Sequence, residues 1–116
     1  MNKIQRHEAA QRRVRDALRS YGWTVLSLST TAPADLIALR SGDPDSPDPQ
    51  VLLIEVKTGK GRLTRDQRAL KKQHPGLFVE VRWKDKQWVV TGKQGEIVDD
   101  ALCGRIEGEF VREDRP

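Results

Sequence analysis

Residues 51–67 read VLLIEVKTGKGRLTRDQ, and the fold turns on this stretch. VLLIEV (51–56) is apolar on both faces at its start, the pattern of a strand at the centre of a sheet. Gly59 and Gly61 then open a loop. Thr64, with Gln67 three residues on, has the form of a capping box, which predicts a helix from there to about Gln73. Pro75-Gly76 stops that helix. Working outward, residues 3–20 predict an N-terminal helix with Ile4, Gln11, Val14 and Leu18 on one side and Gly22 just past its end. Glu8 falls at the edge of that stripe. TVLSLS (24–29) and ADLIAL (34–39), the latter entered through Pro33, predict two short strands. SGDPDSPDPQ (41–50) holds three prolines and three aspartates and must be loop. Downstream, LFVEVRW (77–83) and QWVVT (87–91), joined by Lys84-Asp85-Lys86, predict a hairpin, and a short helix is expected around Val98–Leu102. The order is helix, three strands, helix, two strands. That order predicts an α/β domain with a single mixed sheet and helices packed against it. One domain over 1–116 is expected, with a core of about 3–92 and an acidic extension over 93–116.

Composition narrows the class. The chain has 116 residues, 36% hydrophobic and 33% charged, with one cysteine, Cys103. No apolar run approaches the ~18 residues of a membrane span, so no membrane partner is expected. The N-terminal twenty residues lack the apolar stretch of a secretory signal. A lone cysteine cannot form an internal disulfide and suits a reducing, cytoplasmic compartment. The net charge of +4 is unevenly spread: residues 1–93 carry 18 basic and 10 acidic side chains, residues 94–116 carry 3 and 7. Basic residues gather in 3–19 and in 57–72. Such clusters suit a polyanion such as nucleic acid, although a solvated helix face has the same composition.

The chemistry is concentrated at Glu55-Val56-Lys57. In a strand, positions 55 and 57 point to the same face, so a carboxylate and an ammonium emerge together where a buried strand reaches its rim. A buried, unpaired carboxylate is costly, so Glu55 requires a partner, either a cation or Lys57 itself. Asp35 begins another short apolar strand. If the two strands lie side by side, the carboxylates of Asp35 and Glu55 converge. With the backbone carbonyl of Val56 they would form an oxygen-rich cradle for Mg²⁺ or Mn²⁺. Such an ion activates water and neutralises charge developing on a phosphodiester, and Lys57 beside it would orient the water or stabilise the transition state.

These residues resemble the PD-(D/E)xK nuclease superfamily, most closely its stand-alone virus-type replication-repair nuclease (VRR-NUC) branch, related to Holliday-junction resolvases. The resemblance spans about residues 4–83. It rests on Glu8, on Ala34-Asp35-Leu36-Ile37 and on the block EVKTGKGRLTRDQ (55–67). Ala34 stands where the family's name motif has proline, with Pro33 one place earlier. The resemblance implies a restriction-endonuclease-like αβββαβ core and a Mg²⁺- or Mn²⁺-dependent endonuclease. It would hydrolyse phosphodiester bonds in DNA, selective for a branched junction or flap, as an intracellular protein of prokaryotic or viral type. By the same resemblance Asp35 and Glu55 ligate metal, Lys57 is the catalytic lysine, Glu8 reaches the metal directly or through water, and Gln67 supports the site. A two-fold homodimer is the economical assembly for paired cuts.

Each residue also has a plainer reading. Glu8 at i and Arg12 at i+4 could simply pair on a solvated helix. Gln67 could do no more than complete the Thr64 capping box. Lys60, Arg62 and Arg65, with Arg12 and Thr30, are candidate phosphate contacts. Ser29, Thr30 and Thr31 are equally well strand-end hydroxyls. Trp23, Trp83 and Trp88 fit core or sheet-edge packing better than base stacking, and neither His7 nor His74 has metal-ligand spacing. The alternative function is a non-catalytic nucleic-acid-binding module of the same fold. A protein-interaction domain is the third reading.

Overall fold

A computed structural model describes residues 2–29, 31–42 and 50–103. Eight elements follow one another: α1 (Lys3–Ser20), β1 (Thr24–Ser27), β2 (Leu36–Arg40), β3 (Gln50–Thr58), α2 (Arg65–Gln73), β4 (Phe78–Lys84), β5 (Gln87–Thr91) and α3 (Gly95–Leu102). The five strands form one sheet in the order β1-β2-β3-β4-β5. Neighbours are antiparallel except β3 and β4, which run parallel because α2 carries the chain back across the sheet. The α/β class and the single mixed sheet expected from the sequence are therefore present. Among the described residues no helix is long and apolar enough to cross a membrane.

Pleat alternation sorts the side chains of the sheet. Val25, Leu36, Ala38, Leu52, Ile54, Val56, Val79 and Val81 are buried on one face, where they meet Ala10, Val14 and Leu18 of α1 and Val98 and Ala101 of α3. The intervening residues of β3, Leu53, Glu55 and Lys57, point to the opposite face, on which α2 lies.

Three expectations need correction here. The buried stripe of α1 is Ala10-Val14-Leu18, and Ile4 is 70% exposed. The helix is rotated relative to the expected face, with the small Ala10 against the sheet and Ile4 turned away from it. Secondly, the acidic extension is not outside the core: α3 starts at Gly95, and Val98 has no exposed surface. Its acidic residues lie around an apolar pair three apart, Val98 and Ala101, which is the spacing of one helix face. Residues 104–116 lie outside the described residues. Finally, β3 runs to Thr58 rather than Val56.

That last difference builds the rim of the sheet. β3 pairs with β2 only over 50–54, but with β4 over 53–58. Residues 55–58 therefore project past the start of β2, leaving one edge of the central strand open. Asp35 lies at that opening. Its N–H donates to the Ile54 carbonyl at 2.9 Å and its carbonyl accepts from Leu28 N–H at 2.8 Å, which clamps its backbone between β1 and β3.

At the far edge, Gly92 closes β5 onto β4. Its φ of +125° is open only to glycine, and a Cβ there would sit 2.6 Å from the Phe78 carbonyl oxygen. Gly92→Ala is expected to destabilise the domain by about 2–4 kcal/mol, combining backbone strain with overpacking. Urea unfolding followed by circular dichroism measures it, and a loss below about 1 kcal/mol would contradict this packing.

Candidate metal and phosphodiester site

The open edge of β3 gathers the two carboxylates. Asp35 Oδ2 accepts the N–H of Val56 at 2.8 Å, a bond that a strand neighbour would make if β2 continued. Within one strand residue, N–H and C=O face the same side, so the Val56 carbonyl faces the Asp35 side as well. Glu55 is only 2% exposed. Gln67 Nε2 donates to Glu55 Oε2, while the Asp35 carboxyl lies near enough to raise the proton affinity of Glu55.

The orientation of Gln67 follows from its place in α2. Its N–H donates to Thr64 Oγ1 at 3.2 Å, and its Oε1 accepts from Thr64 N–H at 2.8 Å. With Oε1 committed to the helix cap, the amide nitrogen must be the group turned to Glu55. The helix cap and the bond to Glu55 are therefore one arrangement.

Electrostatics follow from this crowding. Burial, and then the neighbouring Asp35 carboxyl, push the Glu55 carboxyl up to about 9, against the opposing pull of Lys57 and Gln67. Two ionised carboxylates so close in a water-poor pocket repel, and one retains a proton unless a cation intervenes. The donors are all oxygen: two carboxylates and the Val56 carbonyl. That chemistry fits a hard divalent ion. Among the described residues no group of three or more His, Cys, Asp or Glu side chains is arranged to hold a metal. An ion here would draw its remaining ligands from water or substrate, as Mg²⁺ commonly does.

Not every expected residue arrives. Glu8 is exposed, and its side chain makes no hydrogen bond or ion pair among the described residues. Each residue turns the helix by about 100°, and it is His7, one position earlier, that faces the site. His7 Nε2 lies 3.8 Å from Asp35 Oδ2 and 3.0 Å from the Gln11 amide nitrogen. The signal for His7 was present in the sequence: it precedes Val14 by seven residues, two turns along the buried face. Arg12 also points elsewhere. Two residues from buried Val14, it projects about 160° away and is exposed. Thr30 lies outside the described residues. Ser29 and Thr31 bond each other, Oγ to Oγ1 at 2.8 Å.

Lys60 and Arg62 line a groove of about 530 Å³ with Gly59, Arg68 and Lys84. Arg65, exposed at the start of α2, is outside it. Arg82 organises the groove wall and was not anticipated from the sequence. Its guanidinium donates to the carbonyls of Gly59 at 3.0 Å and Gly61 at 2.5 Å, and pairs with Glu80 at 3.1 Å. One half-buried arginine thus pins the loop that follows Lys57. Trp23 is a packing residue, 3% exposed with the Arg40 guanidinium 4.4 Å above its ring. Compared with known proteins, the chain matches no family model and no curated protein.

Between its ordinary value of 4.5 and about 9, folded Glu55 holds a proton that the unfolded chain has released. Stability contributed by this group is therefore expected to fall as pH rises through that window. Urea midpoints at pH 6 and pH 9 test it against Glu55→Gln, which keeps the shape without the charge. The wild-type chain should lose more stability than the variant over that interval, and equal losses would mean that Glu55 is not desolvated.

Proposed function

We propose that the chain is a divalent-metal-dependent nuclease acting on DNA. The observation that carries this reading is the convergence of the Asp35 and Glu55 carboxylates beside the Val56 backbone, with Lys57 on the same strand face, at the one place where β3 outruns β2. The order α1-β1-β2-β3-α2-β4, with β3 and β4 parallel, supports the restriction-endonuclease-like core that the motif resemblance implies.

Asp35, Glu55 and the Val56 carbonyl would hold the ion, which when bound supplies Lewis acidity to the scissile phosphate. The remaining work falls to the chain's own side chains. Glu55 must give up its proton to ligate, so affinity for Mg²⁺ or Mn²⁺ rises with pH. Gln67 fixes the Glu55 carboxylate, and His7 lies against Asp35 from α1. Lys57 carries a positive charge to the rim, where it can orient the attacking water and offset charge building on the phosphorus oxygens. Lys60 and Arg62, with Arg68 and Lys84, line the groove beyond the Gly59 turn and supply sequence-independent contacts to flanking phosphates. A substrate recognised through phosphates and shape, such as a junction or flap, suits this arrangement. A two-fold pair of chains would deliver two such cuts.

The solvent-facing position of Glu8 favours a second reading, a nucleic-acid-binding module of the same fold without turnover. A cleavage panel separates the two: branched, flapped and linear DNA with Mg²⁺, Mn²⁺ or chelator. Metal-dependent product is expected, and Asp35→Ala or Glu55→Ala should lower its rate by at least about 10²-fold while circular dichroism remains unchanged. Lys57→Ala should lower kcat more than it raises KM. Binding without product under every metal condition, or parental rates in both carboxylate variants, would overturn the nuclease reading.

A further inference from the structure

A second groove, of about 510 Å³, lies between the exposed flank of α1 and the β4–β5 hairpin. Its helix side carries Lys3, Arg6 and Arg13, with the small side chains of Ala9 and Ala10 keeping its floor low. At about 100° per residue these positions fall within one third of the helix circumference, beside the stripe packed on the sheet. The cations span ten residues, about 15 Å of helix, enough for several consecutive phosphates. All three are exposed.

The opposite wall is aromatic. Trp83 and Trp88 face each other across the hairpin, directly opposed in register, with ring centroids 4.8 Å apart and planes tilted by 58°. Trp88 packs against the hydrophobic core and backs its partner, while Trp83 remains 38% exposed at the groove. A tryptophan supported in this way keeps its ring in a fixed position at little entropic cost. Packing alone, the plainer reading of the pair, accounts for Trp88 and leaves the exposed ring of Trp83 beside three cations unused.

The two grooves meet. Gly59 lines both, two residues after Lys57. A polyanion lying in the aromatic groove and leaving past Gly59 would enter the basic groove of Lys60 and Arg62, crossing the end of β3 on its way. Alternating negative charge and flat apolar faces is the chemistry of an unpaired nucleic-acid strand. In a duplex the base faces are stacked inside and closed to a tryptophan.

We propose that this groove binds an unpaired DNA strand, with Trp83 stacking on a base and Lys3, Arg6 and Arg13 contacting its phosphates. The proposal deepens the nuclease reading, on which it rests for DNA as the substrate, by selecting a substrate that carries a single-stranded arm. Binding, unlike cleavage, needs no metal here, so the test is done in chelator. The full chain is titrated with fluorescently labelled oligothymidylate and with a blunt duplex, following anisotropy and tryptophan emission.

Oligothymidylate should quench tryptophan emission. Trp83→Ala should weaken its binding by about tenfold while leaving duplex affinity within twofold, and Trp83→Phe, which keeps a stacking face, should restore most of the loss. The double variant Arg6→Glu/Arg13→Glu should weaken binding and reduce the slope of log K against log salt by about 1–2. An unchanged affinity in Trp83→Ala would overturn the proposal. So would equal losses for single strand and duplex, or failure of Trp83→Phe to recover binding while its urea midpoint matches the parent. A chain that binds in this pattern and never cleaves would sustain the groove and remove the nuclease reading. A chain that cleaves with no dependence on Trp83 would do the reverse.

Discussion

A carboxylate that is almost completely buried must find compensation, and Glu55 organises the rest of the molecule around that need. Its position in the central strand gives it no route to solvent. Gln67, in the first turn of α2, and Lys57, two residues along β3, favour its charge, whereas Asp35, before β2, opposes it and favours a shared proton. Each partner is fixed by a separate backbone device. Asp35 is clamped to Leu28 and Ile54, Gln67 is spent on the Thr64 cap, and Lys57 shares a pleat with Glu55. If the pocket served stability alone, an apolar side chain at position 55 would be cheaper, since buried charged groups are commonly neutral or unfavourable beside hydrophobic replacements. Such an acid pair is better explained by what it can bind than by what it holds together.

The fold was legible wherever local chemistry and tertiary demand agreed. VLLIEV reads as a central strand because both its faces are covered, and Thr64 with Gln67 reads as a helix start because the capping box is satisfied within four residues. The hairpin was legible too, although its turn is tighter than the three-residue connection expected: Asp85 and Lys86 alone carry the positive φ values, 54° and 62°, that a two-residue turn demands. Errors arose where the phase of a helix depended on its neighbour. Alanine is nearly neutral in hydropathy, so Ala10 does not announce a buried face, whereas Ile4 does and is exposed. That rotation turned Glu8 further from the sheet, while His7 lies within the buried face on either phase. The boundaries of β2 and β3 erred for a related reason. Where a strand ends depends on which partner supplies its next hydrogen bond, and for residues 57–58 that partner is β4, twenty-five residues later.

Much the same distinction separates the legible part of the site from the rest. Glu55 and Lys57 share a strand face by its period of two, Asp35 was expected beside them if its strand paired with β3, and the place of Gln67 at the site came from the family resemblance. Arg82 could not be anticipated, because its role is to bond carbonyls of the Gly59–Gly61 loop, and backbone acceptors leave no trace in the residue types of a loop. This loop nevertheless determines the molecule's outer surface. Gly59 has a left-handed φ of 65°, its N–H returns to the Trp83 carbonyl at 2.9 Å, and Arg82 holds its own carbonyl. Three bonds from β4, two of them through Arg82, thus hold the turn at which both grooves meet. Two charged grooves ending in a flexible loop could not share one strand in register. Here the junction is a rigid turn anchored to β4, the strand that also carries Trp83. Under the proposed function, any strand stacked on that ring would lie at a fixed distance from the carboxylate pair, and selection of substrate and placement of the scissile bond would become the same structural problem.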